Sequence, residues 1–297
     1  MAKITAQMVA ELRARTGAGM MDCKKALEEA DGDISKAVDI LRTKGIAKAE
    51  KRAGRAASEG RIVAVIAPDA RSGAMIEVNS ETDFVSRNDE FGALAQSLAE
   101  HVAADASLNA NVASAAGTEG MSRPFTADPS KTVEEIVKAA SAKTGENVVL
   151  RRFARLATDG VVGSYVHFNG KVAVLTEVTG ANNDAAKELA RSVAEHIAAG
   201  VPKVPFGVTR DEVPADVVER ERAIFVEQAR QSGKPDNIVQ KMVDGQINKY
   251  YAEVTLLDQP WVRDPNSTIK QLVELKSKEA GAPLTIRRFV RYQMGEE

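Results

Sequence analysis

Few residues of this chain carry the chemistry of a catalyst. Its histidines are His101, His167 and His196, and its one cysteine is Cys23. His101 and His196 close matching apolar helix patterns, Ala93-Leu-Ala-Gln-Ser-Leu-Ala-Glu-His101 and Glu188-Leu-Ala-Arg-Ser-Val-Ala-Glu-His196, so both read as structural imidazoles rather than general bases. Cys23 lies beside Lys24 and Lys25, the kind of cationic neighbours that a reactive thiol uses. Met20, Met21, Ala26 and Leu27 around it point instead to small-core packing. No nucleophile–base–orienter set assembles. Neither G-x-x-x-x-G-K-[ST] nor a strand-following G-x-G-x-x-G occurs, so a nucleotide phosphate has no evident cradle. HExxH and paired cysteines are missing too, which leaves a metal without its usual ligands. The expectation is no covalent chemistry, no cofactor, no metal and no direct nucleotide binding.

The chemistry that remains is recognition. Thr82-Asp83-Phe84-Val85 sets an aromatic and a valine in a polar stretch, between Glu81 and Ser86-Arg87-Asn88. Phe84 either folds back as a local hydrophobic plug or stands out as a wedge for a partner's pocket. In the second case Asp83 is a carboxylate able to compete for donors or perturb a cation site.

Several elements must position these residues. Residues 1–45 read as three short helices. Thr5 caps the first, which carries Met8, Val9 and Leu12; Met20 to Ala30 forms the second; Asp33 caps the third, with Ile34, Ala37, Val38 and Leu41 on one face and Gly45 as its stop. Over 42–61, Arg42, Lys44, Lys48, Lys51, Arg52, Arg55 and Arg61 face only Glu50 and Glu59. That run reads as an exposed basic helix or linker, either a solvated face or a docking site for an acidic protein or RNA. Arg61–Ala67 and Ala74–Asn79 flank a turn as a hairpin, and a helix follows from Asp89 to Ala104. Residues 105–123 are small and polar and read as a surface loop. Next come a helix around Val133, Ile136 and Val137 and a strand ending in Arg151-Arg152-Phe153.

The second half repeats the first. Residues 93–104 match 188–199 at an offset of 95, and 124–156 align without a gap on 260–292, pairing Asp128-Pro129 with Asp264-Pro265 and Arg151-Arg152-Phe153 with Arg287-Arg288-Phe289. Glu77-Val78 corresponds to Glu177-Val178 at an offset of 100. The first copy therefore holds extra residues between its second strand and its helix, around Thr82–Val85. The second copy holds an insertion over about 206–251. There Val217, Val218, Ile224, Phe225 and Ala229, then Ile238, Val239, Met242, Val243, Ile247 and Tyr250, recur at helical spacing across a Ser232-Gly-Lys-Pro235 turn. This predicts an antiparallel helical hairpin whose stripe packs on itself or on a partner. The fold class is α+β, with two related subdomains. The domains are 1–45, a basic linker helix 46–59, a first subdomain 60–157, a second built from 158–205 and 252–297, and the 206–251 hairpin.

Composition narrows the setting. The 297 residues carry 40 Lys and Arg against 42 Asp and Glu, so no net field drives the chain onto DNA or an anionic membrane. Aromatics are only 4%, thin for base stacking. No stretch nears the about 20 apolar residues of a membrane span, and the start lacks a signal peptide's apolar core. A cytoplasmic protein is expected, in keeping with a single cysteine.

Two stretches resemble the signatures of one family. Leu12-Arg-Ala-Arg-Thr-Gly-Ala-Gly-Met-Met-Asp-Cys-Lys-Lys-Ala-Leu27 is similar to the N-terminal signature of bacterial elongation factor Ts, and Glu77-Val-Asn-Ser-Glu-Thr-Asp-Phe-Val-Ser-Arg87 to its second. The resemblance implies a guanine-nucleotide exchange factor for elongation factor Tu. It further implies that residues 1–45 are a ubiquitin-associated-like bundle docking on the GTPase domain through Leu12, Met20, Met21 and Lys24. On the same grounds Thr82, Asp83, Phe84 and Val85 reach the nucleotide-binding domain, with Phe84 and Asp83 near the Mg²⁺ and phosphate site. His167, in Gly163-Ser-Tyr-Val-His167, falls at a contact position of the second subdomain, and the hairpin resembles a coiled-coil module associated with homodimerisation. Many members run on into a C-terminal helix, whereas this sequence ends at Met294-Gly-Glu-Glu297.

Two other functions fit parts of the sequence. A peptide- or ubiquitin-binding adaptor would use residues 1–45 alone. A ribosome- or RNA-associated protein would use the 42–61 run and lose affinity with salt, by roughly 0.7–0.9 log units per log unit of salt for each phosphate contacted. Neither accounts for the extra residues around Phe84.

Overall fold

The computed structural model describes residues 4–108, 111–112, 115, 118–231, 233 and 235–296. Ser232 and Lys234 of the expected turn lie outside them, as do residues 1–3 and 297. The protein is α+β. Helices α1 (Ala6–Thr16), α2 (Met20–Glu29) and α3 (Ile34–Glu50) open the chain. Strands β1 (Glu59–Ile66) and β2 (Ser72–Ser80), helices α4 (Asp83–Ser86) and α5 (Asp89–Ala104), strand β3 (Asn111–Val112) and helix α6 (Glu119–Ser122) follow. Next are the short pair β4 (Pro124–Phe125) and β5 (Asp128–Thr132), helix α7 (Val133–Thr144) and strand β6 (Val149–Ala157). A second series runs β7 (Val161–Val166), β8 (Val172–Thr179), α8 (Asp184–Ala199), α9 (Ala215–Arg230), α10 (Asp236–Val254), the pair β9 (Pro260–Trp261) and β10 (Asp264–Thr268), α11 (Ile269–Ala280) and β11 (Thr285–Gln293). Among the described residues no helix is long and apolar enough to cross a membrane.

Two antiparallel sheets, ordered β1-β2-β6-β3 and β11-β8-β7, form the body. Period-2 alternation splits each strand between two environments. Ala74, Ile76 and Val78 of β2 pack with Phe91, Leu98 and Val137 of α5 and α7. Met75, on the opposite face, meets Val162, Leu175 and Val290 of the second sheet. The second sheet's outer face packs Val174 and Val178 against Leu189, Val193 and Leu272 of α8 and α11. The order is thus helices, sheet, sheet, helices.

A buried acid ties each middle strand to the strand beside it. Glu77 is fully buried and accepts from Arg152 at 2.7 Å and Arg151 at 3.3 Å. Glu177 accepts from Arg288 at 2.6 Å. Such pairs are strongly destabilising to break, because the surviving charge stays buried. Arg152 also donates to the Gln293 carbonyl at 2.8 Å and lies over the Tyr292 ring, coupling the first sheet to the end of β11.

Four expectations change. Gly45 does not stop the third helix, which runs to Glu50. A Cβ there would stand 3.2 Å from the Ala142 Cβ of α7, so the glycine serves close helix packing instead. The basic run is not a free face. Arg42 pairs with Glu135, Lys44 with Glu29, Lys48 with Asp22 and Arg55 with Glu81, while Arg52 and Arg61 donate to the Ser141 and Ser86 carbonyls. Lys44 and Lys48 tie α3 to α2, while Arg42 and Arg52 tie this segment to α7 of the body. The 105–123 stretch is not merely a surface loop, since β3 pairs with β6, and Leu108 and Ala115 are buried in the core. The strand expected to end at Phe153 continues to Ala157.

The hairpin stripe is satisfied internally. The start of α9 meets the end of α10 through Val217, Tyr250 and Val254, and its end meets the start of α10 through Ala229 and Val239, an antiparallel seam. Ile224 and Ile238 remain exposed.

His101 and His196 close equivalent junctions. The Thr126 amide donates to His101 Nδ1 and the Val262 amide to His196 Nδ1, each at 3.2 Å, and His196 Nε2 donates to Gln259 Oε1 at 2.9 Å. A proton on Nδ1 would break that bond, and burial holds both imidazoles below the usual histidine range. Between about pH 6.5 and those lowered folded values the unfolded chain binds more protons, so stability drops as pH falls through this window. The thermal midpoint should hold above about pH 6.5 and decline toward pH 5.5, and His196→Gln should flatten that decline. A wild-type midpoint unchanged across this range would contradict the assignment.

Candidate partner-docking site

The turn after β2 is the feature that sets the first sheet's surroundings apart. Residues 81–88 separate β2 from α5, where only 180–183 separate β8 from α8. They form a single helical turn, α4, rather than an irregular loop. Its side chains divide by environment. Val85 packs into the first core and Ser86 is buried, while Phe84 is 86% exposed. Of the two readings open for Phe84, the local plug is excluded, and Val85 takes that place. Asp83 is half-buried and pairs with Arg87 at 3.1 Å. Thr82 donates its amide to Glu146 at 3.0 Å and its hydroxyl to the same carboxylate at 2.5 Å. An aromatic held out in water gives its turn no stability, so these contacts and Val85 hold it.

The N-terminal helices place Met20 and Met21 outward, 60% and 63% exposed, and Lys24 beside Glu28 at 3.8 Å. Leu12 corrects the expectation of an outward docking side chain: it is fully buried among Val9, Cys23 and Leu27 and supports this surface from beneath. Cys23 is likewise buried and packs as a small hydrophobe. A groove of about 870 Å³ runs between Val9, Met20 and Met21 on one side and Glu90 and Lys143 on the other. Glu90 and Lys143 close that wall as an ion pair at 2.9 Å. Glu90 stands in the first turn of α5, the helix that follows the Phe84 turn.

His167 opens the turn between β7 and β8. Tyr165 Oη lies 3.1 Å from its Nδ1, and its ring packs 4.5 Å from that of Phe168. Phe168 is 92% exposed and went unnoticed in the sequence, although an aromatic in a His-Phe-Asn-Gly turn is its own signal. Adjacent residues of β1 hold both turns. The Arg61 guanidinium donates to the Ser86 carbonyl, and the Ile62 amide donates to the Gly170 carbonyl at 2.9 Å. Two exposed aromatics therefore hang from one edge strand. Among the described residues no His, Cys, Asp and Glu cluster could hold a metal ion. The arrangement suits binding a macromolecule: rigid exposed apolar anchors with charged groups beside them.

Residues 81–296 match the family model described as elongation factor TS. Elongation factor Ts of Trichlorobacter lovleyi is 44% identical over 299 aligned residues, covering 99% of this chain and 93% of that protein. The Aquifex aeolicus protein of the same name is 45% identical, with 98% of each chain covered, and one from Clostridium botulinum is 44% identical over 295 residues. A family match across most of the chain, joined by relatives aligned along nearly all of it, shows that the chain belongs to the elongation factor Ts family.

Proposed function

We propose that the chain performs guanine-nucleotide exchange on elongation factor Tu by binding alone, and that the Phe84 turn is the part that opens the nucleotide site. The observation that carries this reading is Phe84 itself, 86% exposed on a turn whose neighbours are all held. A factor that bound Tu equally well with and without nucleotide would shift nothing, so binding must favour the nucleotide-free form. Bound nucleotide then weakens the complex by the same factor.

In this account Phe84 enters between helices of the GTPase domain and Asp83, released from Arg87, disturbs the ligands of Mg²⁺ and the β-phosphate. Losing the ion removes much of the charge neutralisation on the diphosphate. The ubiquitin-associated-like bundle grips the GTPase domain through Met20, Met21 and Lys24, with Leu12 as support. His167 and Phe168 extend the contact from the second subdomain. No bond is made or broken on this chain.

Burying one phenylalanine is worth about 1.5–3 kcal/mol, and each factor of ten in rate needs about 1.4 kcal/mol. Phe84→Ala should therefore slow GDP release at saturating factor by about ten- to a hundredfold, read by stopped-flow loss of a fluorescent GDP analogue from Tu. Release at the wild-type rate would sink the wedge. Replacing Met20 and Met21 together with alanine should act differently. The concentration for half-maximal release should rise about tenfold while the plateau stays near wild type. A lower plateau would mean that the bundle takes part in opening the site.

A further inference from the structure

Resting on the exchange reading above, we propose that Glu146 is a positioning residue for the Phe84 turn, holding α4 in the conformation that presents the aromatic. Helix α4 has no side-chain cap of its own, since Thr82 stands at the cap position without making the cap bond. Glu146, just past the end of α7, instead anchors the two residues that lead into α4. One carboxylate oxygen accepts the Glu81 and Thr82 amides at 3.1 and 3.0 Å, and the other accepts the Thr82 hydroxyl at 2.5 Å. The Thr82 amide is one of the donors that a helix start otherwise leaves to water.

The grip is reciprocal. Glu81 accepts the Asn147 amide at 2.7 Å, and the Asn147 side chain donates to the Arg55 carbonyl at 2.8 Å. Segments 81–82, 146–147 and 55 thus lock one another. A four-residue helical turn is far below the length that holds itself in water, and its most apolar side chain points outward.

The second copy supplies the internal control. Helices α7 and α11 both end on a left-handed glycine, Gly145 and Gly281. The next residues are Glu146-Asn147 in the first copy and Ala282-Pro283 in the second, which offer neither a carboxylate nor a side-chain amide. The second copy also joins β8 to α8 with no helical turn between. The carboxylate occurs only where there is a turn to hold.

If Glu146 acts through Phe84, removing it lowers the fraction of molecules that present the aromatic, and exchange falls by that fraction. Glu146→Ala in the full chain should cut the plateau rate of GDP release about tenfold while leaving the half-maximal concentration near wild type. Glu146→Gln, which keeps one acceptor oxygen, should recover most of the rate. In a Phe84→Ala background Glu146→Ala should have no further effect, with thermal midpoints confirming that each variant is folded. A Glu146→Ala plateau equal to wild type, with Phe84→Ala slow, would overturn the positioning role and leave the wedge standing. Equal slowing in both backgrounds would also overturn it, as the mark of general structural damage. No effect of Phe84→Ala would remove the wedge and this role with it.

Discussion

Both sheets are covered on both faces. Ile62, Met75, Leu156, Val162, Leu175 and Val290 fill the space between them, and α5, α7, α8 and α11 cover the outer sides. The exposed Phe84, Phe168, Met20 and Met21 lie in turns or on the opening helices rather than on the sheet faces. The buried acids Glu77 and Glu177, paired with Arg152 and Arg288, fix the strands from which those turns spring. The edge strand β1 then holds two of the turns through consecutive residues, Arg61 and Ile62.

Such a scaffold suits exchange by binding. A flexible aromatic would have to be ordered on contact, and that entropy would be lost from the free energy available to distort the GTPase. Here the ordering is done in advance by Val85, Arg61 and the Glu146 carboxylate. The basic run shows the same economy: Arg42 and Arg52 bind the opening helices to α7, beside the groove lined by Met20, Met21 and Lys143.

What the sequence made legible was local. Thr5 and Asp33 announce helix starts, the boundaries of α5 follow from its apolar period, and the unequal offsets of the two copies place five extra residues within 79–87. What it hid depends on distant partners. Gly45 looks like a terminator until Ala142 stands against it, and the 42–61 cations look solvated until Glu135, Glu29 and Asp22 meet them. Leu12 sits inside a family signature without being at the surface. Glu146 escaped notice because its partners lie 64 and 65 residues away, and nothing nearby in the chain hints at a carboxylate that anchors the entry to another helix.

The central claim is that the turn presenting Phe84 is already built before any partner arrives. Amide hydrogen exchange over residues 81–87, in the free chain and in complex with nucleotide-free Tu, tests it most directly. The account predicts that the Glu81 and Thr82 amides exchange slowly in the free chain and change little on binding. Rapid exchange in the free chain, with protection appearing only in the complex, would contradict it.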